Sequence, residues 1–178
     1  MSQTNELEIM ERIALDLERV EESLASSFNT GAEDFNALIR PLSAAGGKRL
    51  RAQLCLLIAN AGTSIERQRI KIAEAVEMLH LATLIHDDVL DQAEIRRGED
   101  TIHMHKGNKV AILSGDYLFA KAFKIVSEMT NMKYLQVFSH IITCLVEGEF
   151  MQMEDVYRID QGIERYMTKT QKKTADFM

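Results

Sequence analysis

The chain has 178 residues, of which 46% are hydrophobic and 27% are charged, and its formal net charge is −6. This length and mixture suit one globular domain with a sizeable core, and the negative balance argues against a nucleic-acid-binding surface. The two cysteines, Cys55 and Cys144, lie in apolar patterns, which indicates reduced core residues of a cytoplasmic protein. The N-terminus does not have the pattern of a signal peptide, and no apolar run is long enough for a transmembrane segment.

Helices are predicted along almost the whole chain, because there is one proline and no convincing alternation at period two. The predicted helices, in order, cover residues 4–28, 32–44, 48–60, 65–91, 110–129, 133–156 and 163–178. Pro41 should bend or interrupt the second helix, and Ser64 can cap the fourth. The polar stretch 92–108 is predicted to be a loop or a short irregular piece. We therefore predict an all-α fold that forms a single all-helical domain over residues 1–178.

Two glycines fall inside predicted helices, Gly115 and Gly148. A glycine in a helix weakens it unless the missing side chain serves a purpose. We therefore expect close backbone packing at both positions.

Three aspartates, Asp87, Asp88 and Asp91, end the long apolar pattern over residues 70–90. On a helix Asp87 and Asp91 share one face, and Asp88 lies beside them. Carboxylates crowded at an apolar helix end are costly unless a cation accompanies them. Mg²⁺ fits best, because it combines one or two carboxylates with water and substrate phosphates. The segment therefore predicts a metal–diphosphate site.

Two basic segments flank these aspartates in the sequence. Arg96 and Arg97 offer fork-shaped donors to phosphates. The segment at residues 46–51, Gly-Gly-Lys-Arg-Leu-Arg, opens the third predicted helix, where Lys48 and Arg51 should share a face. Glycines permit close backbone approach and a helix start attracts anions, so a diphosphate site is one interpretation, and a solvated basic turn is the other. The spacing is not that of a P-loop.

The histidines divide by position. His80 lies two turns before Asp87 on the same face, where it is either a core residue or a donor to phosphate. His86 points elsewhere and is predicted to be structural. His103 and His105 lie in the polar stretch without a third ligand, which argues against zinc.

Two charged segments near the end allow two interpretations. Glu147, Glu149 and Gln152 bring polar groups into an apolar helix, either as a solvated face or as part of a site. Lys173 and Thr174 lie in the last helix, where by themselves they indicate a charged surface.

Taken in order, the motifs resemble the trans-polyprenyl diphosphate synthases, and they are closest to the long-chain bacterial type such as heptaprenyl and octaprenyl diphosphate synthases. The resemblance covers residues 46 to 174. It rests on Gly-Gly-Lys-Arg-Leu-Arg (46–51), His80, Asp87-Asp88-x-x-Asp91, Arg96-Arg97-Gly98, Gly115-Asp116-Tyr117 and Lys173-Thr174. One small departure is Ala52, where the family commonly has proline.

The resemblance implies a role for each matching residue. The metal ligands for Mg²⁺ on the allylic diphosphate would be Asp87, Asp88 and Asp91. The same diphosphate would contact Arg96, Lys173 and Thr174. The diphosphate of isopentenyl diphosphate would contact Lys48, Arg51, His80 and Arg97. The implied catalytic residues are Asp87, Asp88, Asp91, Arg96 and Lys173.

The resemblance also predicts the product length. The residues four and five before Asp87 are Thr83 and Ala82, where short-chain relatives place bulky aromatic rings that close the product tunnel. Both are small here, and Leu79, deeper along the helix, is aliphatic. These residues predict a long product.

The family carries a second aspartate-rich motif after the Lys-Thr pair, whereas this sequence stops at Met178. We therefore expect an isoprenoid synthase helical bundle that is incomplete at its C-terminus and inactive by itself. It should form a homodimer or a heterodimer with another synthase subunit.

The implied function is condensation of an allylic diphosphate with isopentenyl diphosphate, which yields a long-chain all-trans polyprenyl diphosphate for isoprenoid or quinone side-chain biosynthesis. A class I terpene cyclase is an alternative, but it needs no second diphosphate site, so Lys48, Arg51 and Arg97 argue against it. A non-catalytic partner subunit would be expected to lose the aspartates. A plain helical interaction module does not explain the cations around them.

Overall fold

A computed structural model describes residues 3–28, 33–44, 47–62 and 65–178, and these are mostly helical, as predicted. The α-helices are α1 (Gln3–Ser27), α2 (Glu33–Ala44), α3 (Leu50–Ala61), α4 (Glu66–Leu90), α5 (Ile102–Lys106), α6 (Asn108–Ser127), α7 (Met132–Glu154) and α8 (Ile163–Lys173). The chain forms two compact units, Met1–Glu128 and Met129–Met178. The single domain over residues 1–178 stays a prediction. None of the described helices has both the length and the apolar character that a membrane span requires.

The first unit is built around α4, which packs against α1, α3 and α6. Its apolar residues Ala73, Met78, Leu79 and Ala82 are completely buried. A helix covered on several sides belongs to the core, and alanines on its surface allow neighbouring helices to approach closely. The long apolar pattern that ends at the aspartates is therefore the central helix of this unit.

Charged groups are buried on α4 as well, a feature that the apolar pattern did not predict. Arg69 donates from Nε and Nη2 to the two carboxylate oxygens of Asp16 in α1, at 2.7 and 3.1 Å. Burial opposes ionisation of Asp16, but hydrogen bonds from Arg69 and Asn60 hold the pKa of its carboxyl below the ordinary value. Such a pair is stable in the core only in this bidentate geometry, so it fixes how α1 lies on α4.

The predicted loop over residues 92–108 is wrong in part, because it contains a small hairpin and α5. Strand β1 (Ile95–Arg96) pairs antiparallel with β2 (Glu99–Asp100). The two residues between them, Arg97 and Gly98, have φ values of 54° and 86°. Positive φ at both positions is what a two-residue hairpin turn requires, and Arg-Gly signals it less clearly than Asn-Gly does.

The second helix was expected to bend or break near Pro41, but α2 continues through this residue to Ala44. The proline lies nine residues into a twelve-residue helix, and the structure continues as helix for only one more turn beyond it. The predicted cap Ser64 and the start of the predicted helix at Ala32 lie outside the described residues.

Both helical glycines lie at close contacts, which confirms the prediction. A side-chain carbon at Gly115 of α6 would overlap the imidazole of His86 in α4. His86 itself donates from Nε2 to the carbonyl oxygen of Ile112 at 3.1 Å, which agrees with a structural role. In the second unit, a side-chain carbon at Gly148 of α7 would lie 2.9 Å from the backbone nitrogen of Lys173.

The second unit consists of α7, α8 and a 3₁₀ turn over Ala175–Phe177. Asp155, which ends α7, is buried and accepts from Arg165 Nε at 2.6 Å and Lys169 Nζ at 3.1 Å. Two cations from α8 on one carboxylate hold α8 against α7.

Gly115→Ala should lower the free energy of unfolding by about 2 kcal/mol, because the added carbon forces α6 away from His86. Gly62→Ala is the matched control, since the nearest atom to an added carbon there is 3.9 Å away. Urea denaturation of both variants measures the difference. Equal stability of the two variants would contradict the close contact.

Candidate functional site

The basic segment before α3 turns left-handed at Arg49, so it does not form a helical first turn. Lys48 and Arg49 precede the helix, and Arg49 has φ 46° and ψ 36°. The predicted common helical face of Lys48 and Arg51 is therefore wrong, because a left-handed residue separates them. The carbonyl oxygen of Lys48 accepts from Gln53 Nε2 at 2.6 Å, which ties the segment to α3. Gly46 lies outside the described residues.

His80 of α4 lies among arginine side chains. Arg51 Nη1 lies 3.4 Å from His80 Nε2 and donates to it. Burial, together with the charges of Arg51, Arg97, Arg96 and Arg49, lowers the pKa of His80 to about 4. At neutral pH the imidazole is therefore uncharged and accepts a hydrogen bond. The guanidinium groups around it create a local positive field in a chain whose net charge is negative, and such a field attracts an anion.

The hairpin turn reaches the segment before α3. A side-chain carbon at Gly47 would lie 3.0 Å from Nη2 and 3.2 Å from Nη1 of Arg97. Gly47 thus allows the guanidinium of Arg97 to lie directly against the backbone. The structure therefore brings Arg51, His80 and Arg97 into one basic cluster, with the exposed Lys48 next to Gly47 in the chain.

The aspartates occupy the C-terminal end of α4. Asp87 and Asp91 lie one turn apart, since the Asp91 N–H donates to the Asp87 carbonyl oxygen at 2.8 Å. Asp88 is buried, and its Oδ1 accepts from Nε and Nη2 of Arg96, both at 2.6 Å. Burial raises the pKa of Asp88, although the hydrogen bonds and charge of Arg96 oppose this. Asp88 is a predicted metal ligand, and Arg96 is a predicted contact of the allylic diphosphate. In this structure the two side chains are bonded to each other.

The donor chemistry at this helix end fits a divalent cation. Across the described ranges, no three His, Cys, Asp or Glu side chains are grouped as a metal site would require. Mg²⁺ ordinarily uses only one or two protein carboxylates and completes its shell with water and phosphate oxygens. The pair Asp87 and Asp91 meets that requirement, whereas Oδ1 of Asp88 already accepts from Arg96.

A pocket of about 590 Å³ lies between α2, α4, the hairpin and α5. Its walls are apolar where α2 and α4 face each other, and its charged residues include the Asp88–Arg96 pair and Arg97. From α4 it is lined by Leu81, Leu84, Ile85 and Asp88. The predicted chain-length residues of α4, which are Leu79, Ala82 and Thr83, are not among the residues that line this pocket.

Two of those chain-length residues are core residues in this structure. Leu79 and Ala82 are completely buried. Thr83 is half-buried, and its hydroxyl donates to the carbonyl oxygen of His80 at 2.8 Å. Of the three, Thr83 is therefore the side chain that is accessible to a ligand, and the influence of all three on product length stays a prediction.

In the second unit, Lys173 lies at the end of α8. Its Nζ donates to Gln152 Oε1 at 2.9 Å and lies 2.5 Å from Glu149 Oε2, while Lys172 pairs with Glu147. Glu147 and Glu149 of α7 thus pair with lysines of α8. Exposure to solvent alone therefore does not account for the acids in this helix. The predicted diphosphate contacts of Lys173 and Thr174 stay a prediction.

The remaining histidines have local partners. His103 Nε2 donates to the carbonyl oxygen of Ala93 at 2.8 Å, which holds α5 against the chain that leaves α4. His105 Nε2 lies 3.8 Å from Asp100 Oδ2 and lines the pocket.

Two buried residues next to the basic cluster, Arg49 and Glu77, had no predicted role. Glu77 precedes His80 by three residues on α4, and its carboxylate lies 3.5 Å from the Arg49 guanidinium. An acid at a buried position of an apolar helix is the sequence signal that could have identified it.

Comparison with known proteins gives one consistent family. The polyprenyl synthetase family model matches residues 32–178. The heptaprenyl diphosphate synthase component 2 of Geobacillus stearothermophilus is 38% identical over 161 residues, which are 90% of this chain and 50% of that protein. The octaprenyl diphosphate synthase of Escherichia coli (strain K12) is 33% identical over 167 residues, which are 94% of this chain and 52% of that protein.

Solved structures agree with the sequence relatives. A geranylgeranyl pyrophosphate synthase from Lactobacillus brevis superposes with a TM-score of 0.89 at 31% identity, over 93% of this chain and 52% of that one. A polyprenyl synthase from Caulobacter crescentus CB15, complexed with calcium and isoprenyl diphosphate, has a TM-score of 0.89 at 33% identity, over 95% and 52%. The fold is thus that of the isoprenoid synthase bundles, and the chain spans about half the length of the relatives it matches.

The lowered pKa of His80 predicts a pH dependence of stability. In the unfolded chain the pKa of histidine is about 6.5, so the unfolded state binds the proton first as the pH falls. The contribution of neutral His80 should be fully present above pH 6.5 and lost progressively between pH 6.5 and about 4. An NMR titration of the His80 imidazole measures the pKa on which this pH dependence rests, and a spectrum of His80→Gln assigns the signal. Titration near pH 6.5 in the folded chain would contradict it.

Proposed function

This chain belongs to the polyprenyl synthetase family, and from that premise we propose that the protein condenses an allylic diphosphate with isopentenyl diphosphate. The product is a long-chain all-trans polyprenyl diphosphate for isoprenoid or quinone side-chain biosynthesis. The observation that carries the proposal is the convergence of Arg51 from α3 and Arg97 from the hairpin on His80 of α4, the helix whose end carries Asp87 and Asp91.

The basic cluster is the proposed site for isopentenyl diphosphate. Arg51 and Arg97 present guanidinium donors around a neutral imidazole, and Lys48 is exposed beside Gly47. A diphosphate there would gain charge-assisted hydrogen bonds without prior rearrangement of the arginines. A second diphosphate site of this kind favours chain elongation over a terpene cyclase, which ionises a single substrate.

The acidic end of α4 is the proposed site for the metal and the allylic diphosphate. Asp87 and Asp91 would hold Mg²⁺, which when bound supplies Lewis acidity to the leaving diphosphate. Asp88 holds Arg96 in place, so Arg96 can donate to that diphosphate from a fixed position. The Caulobacter relative was solved with a divalent cation and a prenyl diphosphate, which supports this ligand chemistry.

In the proposed reaction the allylic C–O bond breaks, and the diphosphate departs with the electron pair. The double bond of isopentenyl diphosphate then forms the new C–C bond with the allylic cation, and a proton is lost to the departing diphosphate. Arg96 stabilises the negative charge that develops on the leaving group, and the cluster around His80 keeps the second substrate oriented. The residues therefore act by binding and positioning, and no nucleophilic side chain is required.

The same proposal includes dependence on Mg²⁺, a cytoplasmic location and assembly with a second synthase chain. The second chain is either an identical copy or a different synthase subunit, and the name of the Geobacillus relative, a component 2, favours a heteromeric partner. The long product is supported by heptaprenyl and octaprenyl relatives and by the small Thr83 near the aspartates.

The metal assignment predicts that Asp87→Ala lowers Mg²⁺-dependent prenyl transfer on the order of a thousandfold, because several kcal/mol of charge stabilisation are lost. The assay uses the whole natural reading frame, with circular dichroism to verify that the helices persist. Asp160→Ala, an exposed aspartate in the connection before α8, is the control. Turnover of Asp87→Ala close to that of the control would refute the assignment.

The diphosphate assignment predicts that Arg51→Ala raises the KM for isopentenyl diphosphate about tenfold or more, and more than it raises the KM for the allylic substrate. Arg67→Ala, on the exposed surface of α4, is the matched control. Pyrophosphate added to the wild-type chain should also raise the pKa of His80, because the anion offsets the guanidinium charges that lower it. Equal effects on both KM values would contradict the assignment.

A further inference from the structure

The carboxylate of Glu77 lies directly beneath the first turn of α3. Its Oε1 accepts the backbone N–H of Ala52 at 3.0 Å, and its Oε2 lies 3.5 Å from Arg49 Nη1. Both side chains are buried, with 3% of Glu77 and 7% of Arg49 exposed. A buried acid is tolerated when each oxygen has a partner, and both oxygens of Glu77 have one.

Arg49 adopts a backbone conformation that needs outside support. Its φ of 46° and ψ of 36° are left-handed, which residues with a side chain rarely adopt unless their surroundings enforce it. The guanidinium that Glu77 holds belongs to this residue, and Glu21 of α1 approaches it at 3.5 Å. The contact with Glu77 therefore stabilises the turn that separates Lys48 from Arg51.

Glu77 also caps α3 from another helix. Arg49, the residue before α3, makes no side-chain capping bond, and Ala52 is the third residue of the helix. The N–H at this position is normally satisfied by a side chain of the capping residue itself. Here the acceptor comes from α4, and its negative charge is also favourable at a helix N-terminus.

We infer that Glu77 is the positioning residue of the proposed isopentenyl diphosphate site. It holds Arg49 in the left-handed turn and caps α3, and in this way it aims Lys48 and Arg51 at the diphosphate. His80, one turn further along α4, contacts Arg51 itself. The inference rests on the proposed function, because it assigns the purpose of the turn to diphosphate binding.

A second buried acid on α4 offers a matched control. Glu74 is completely buried, and its carboxylate accepts from Ser23 and Ser27 of α1 at 2.7 and 2.6 Å and from Lys71 at 2.7 Å. Its partners thus lie on α1 and α4, away from the first turn of α3. A purely structural role of Glu77 would give both acids the same kind of phenotype, loss of stability alone.

The test is calorimetric titration of the 178-residue chain with isopentenyl diphosphate in the presence of Mg²⁺. Glu77→Leu should weaken binding about tenfold, because the turn loses both contacts. Glu77→Gln keeps an acceptor for Ala52 but removes the charge opposite Arg49, so it should weaken binding roughly threefold. Glu74→Gln should bind like wild type.

Steady-state kinetics of prenyl transfer by the complete protein supply an independent test. Glu77→Gln should raise the KM for isopentenyl diphosphate and leave the KM for the allylic substrate and kcat unchanged. If circular dichroism shows that Glu77→Leu is unfolded, Glu77→Gln decides. Binding by Glu77→Gln equal to that of Glu74→Gln would overturn the inference and leave the proposed function intact. A folded wild-type chain that binds no isopentenyl diphosphate would overturn the proposed function itself.

Discussion

A helix at the centre of a core cannot carry ionised groups unless a neighbour pairs each of them, and α4 carries several. The pairs run along the helix in order: Asp16 with Arg69, Ser23 and Ser27 with Glu74, Arg49 with Glu77, and Arg96 with Asp88. Removal of one partner would leave a buried charge without compensation, which typically costs about 3–5 kcal/mol. These pairs therefore determine where α1, the start of α3 and the hairpin lie along α4.

This arrangement separates two kinds of charge on one helix. Around His80 the charges are guanidinium groups, and burial together with these charges keeps the imidazole neutral. About two turns later the helix ends in Asp87 and Asp91, which lie one turn apart. A basic and an acidic region at fixed spacing suit two diphosphates. One would bind the cationic side chains directly, and the other would bind the aspartates through a metal. Because the side chains are held before a ligand arrives, little reorganisation accompanies binding.

The sequence predicted most of the helices within a few residues, because apolar spacing and glycines mark them clearly. The resemblance to the family also implied one diphosphate site for Arg51, His80 and Arg97, and that shared role stays a prediction. The prediction from sequence was wrong about Lys48, which precedes the helix, and about the stretch 92–108, where a hairpin forms. At both places an arginine has positive φ, Arg49 before α3 and Arg97 in the hairpin turn, and residue type predicts this conformation poorly when the residue is arginine.

By itself, then, the sequence determined the all-α class, the placement of the aspartates at a helix end, and the family that these motifs resemble. Periodicity and motif order are local properties, so one chain is enough to reveal them. Only the tertiary structure decided that Asp88 is bonded to Arg96 and that Glu77 supports the turn at Arg49. Each of these contacts joins residues from different elements, and its strength depends on burial and on distances of a few ångströms. Burial and distance are set by how helices pack, and no spacing along the chain encodes them directly.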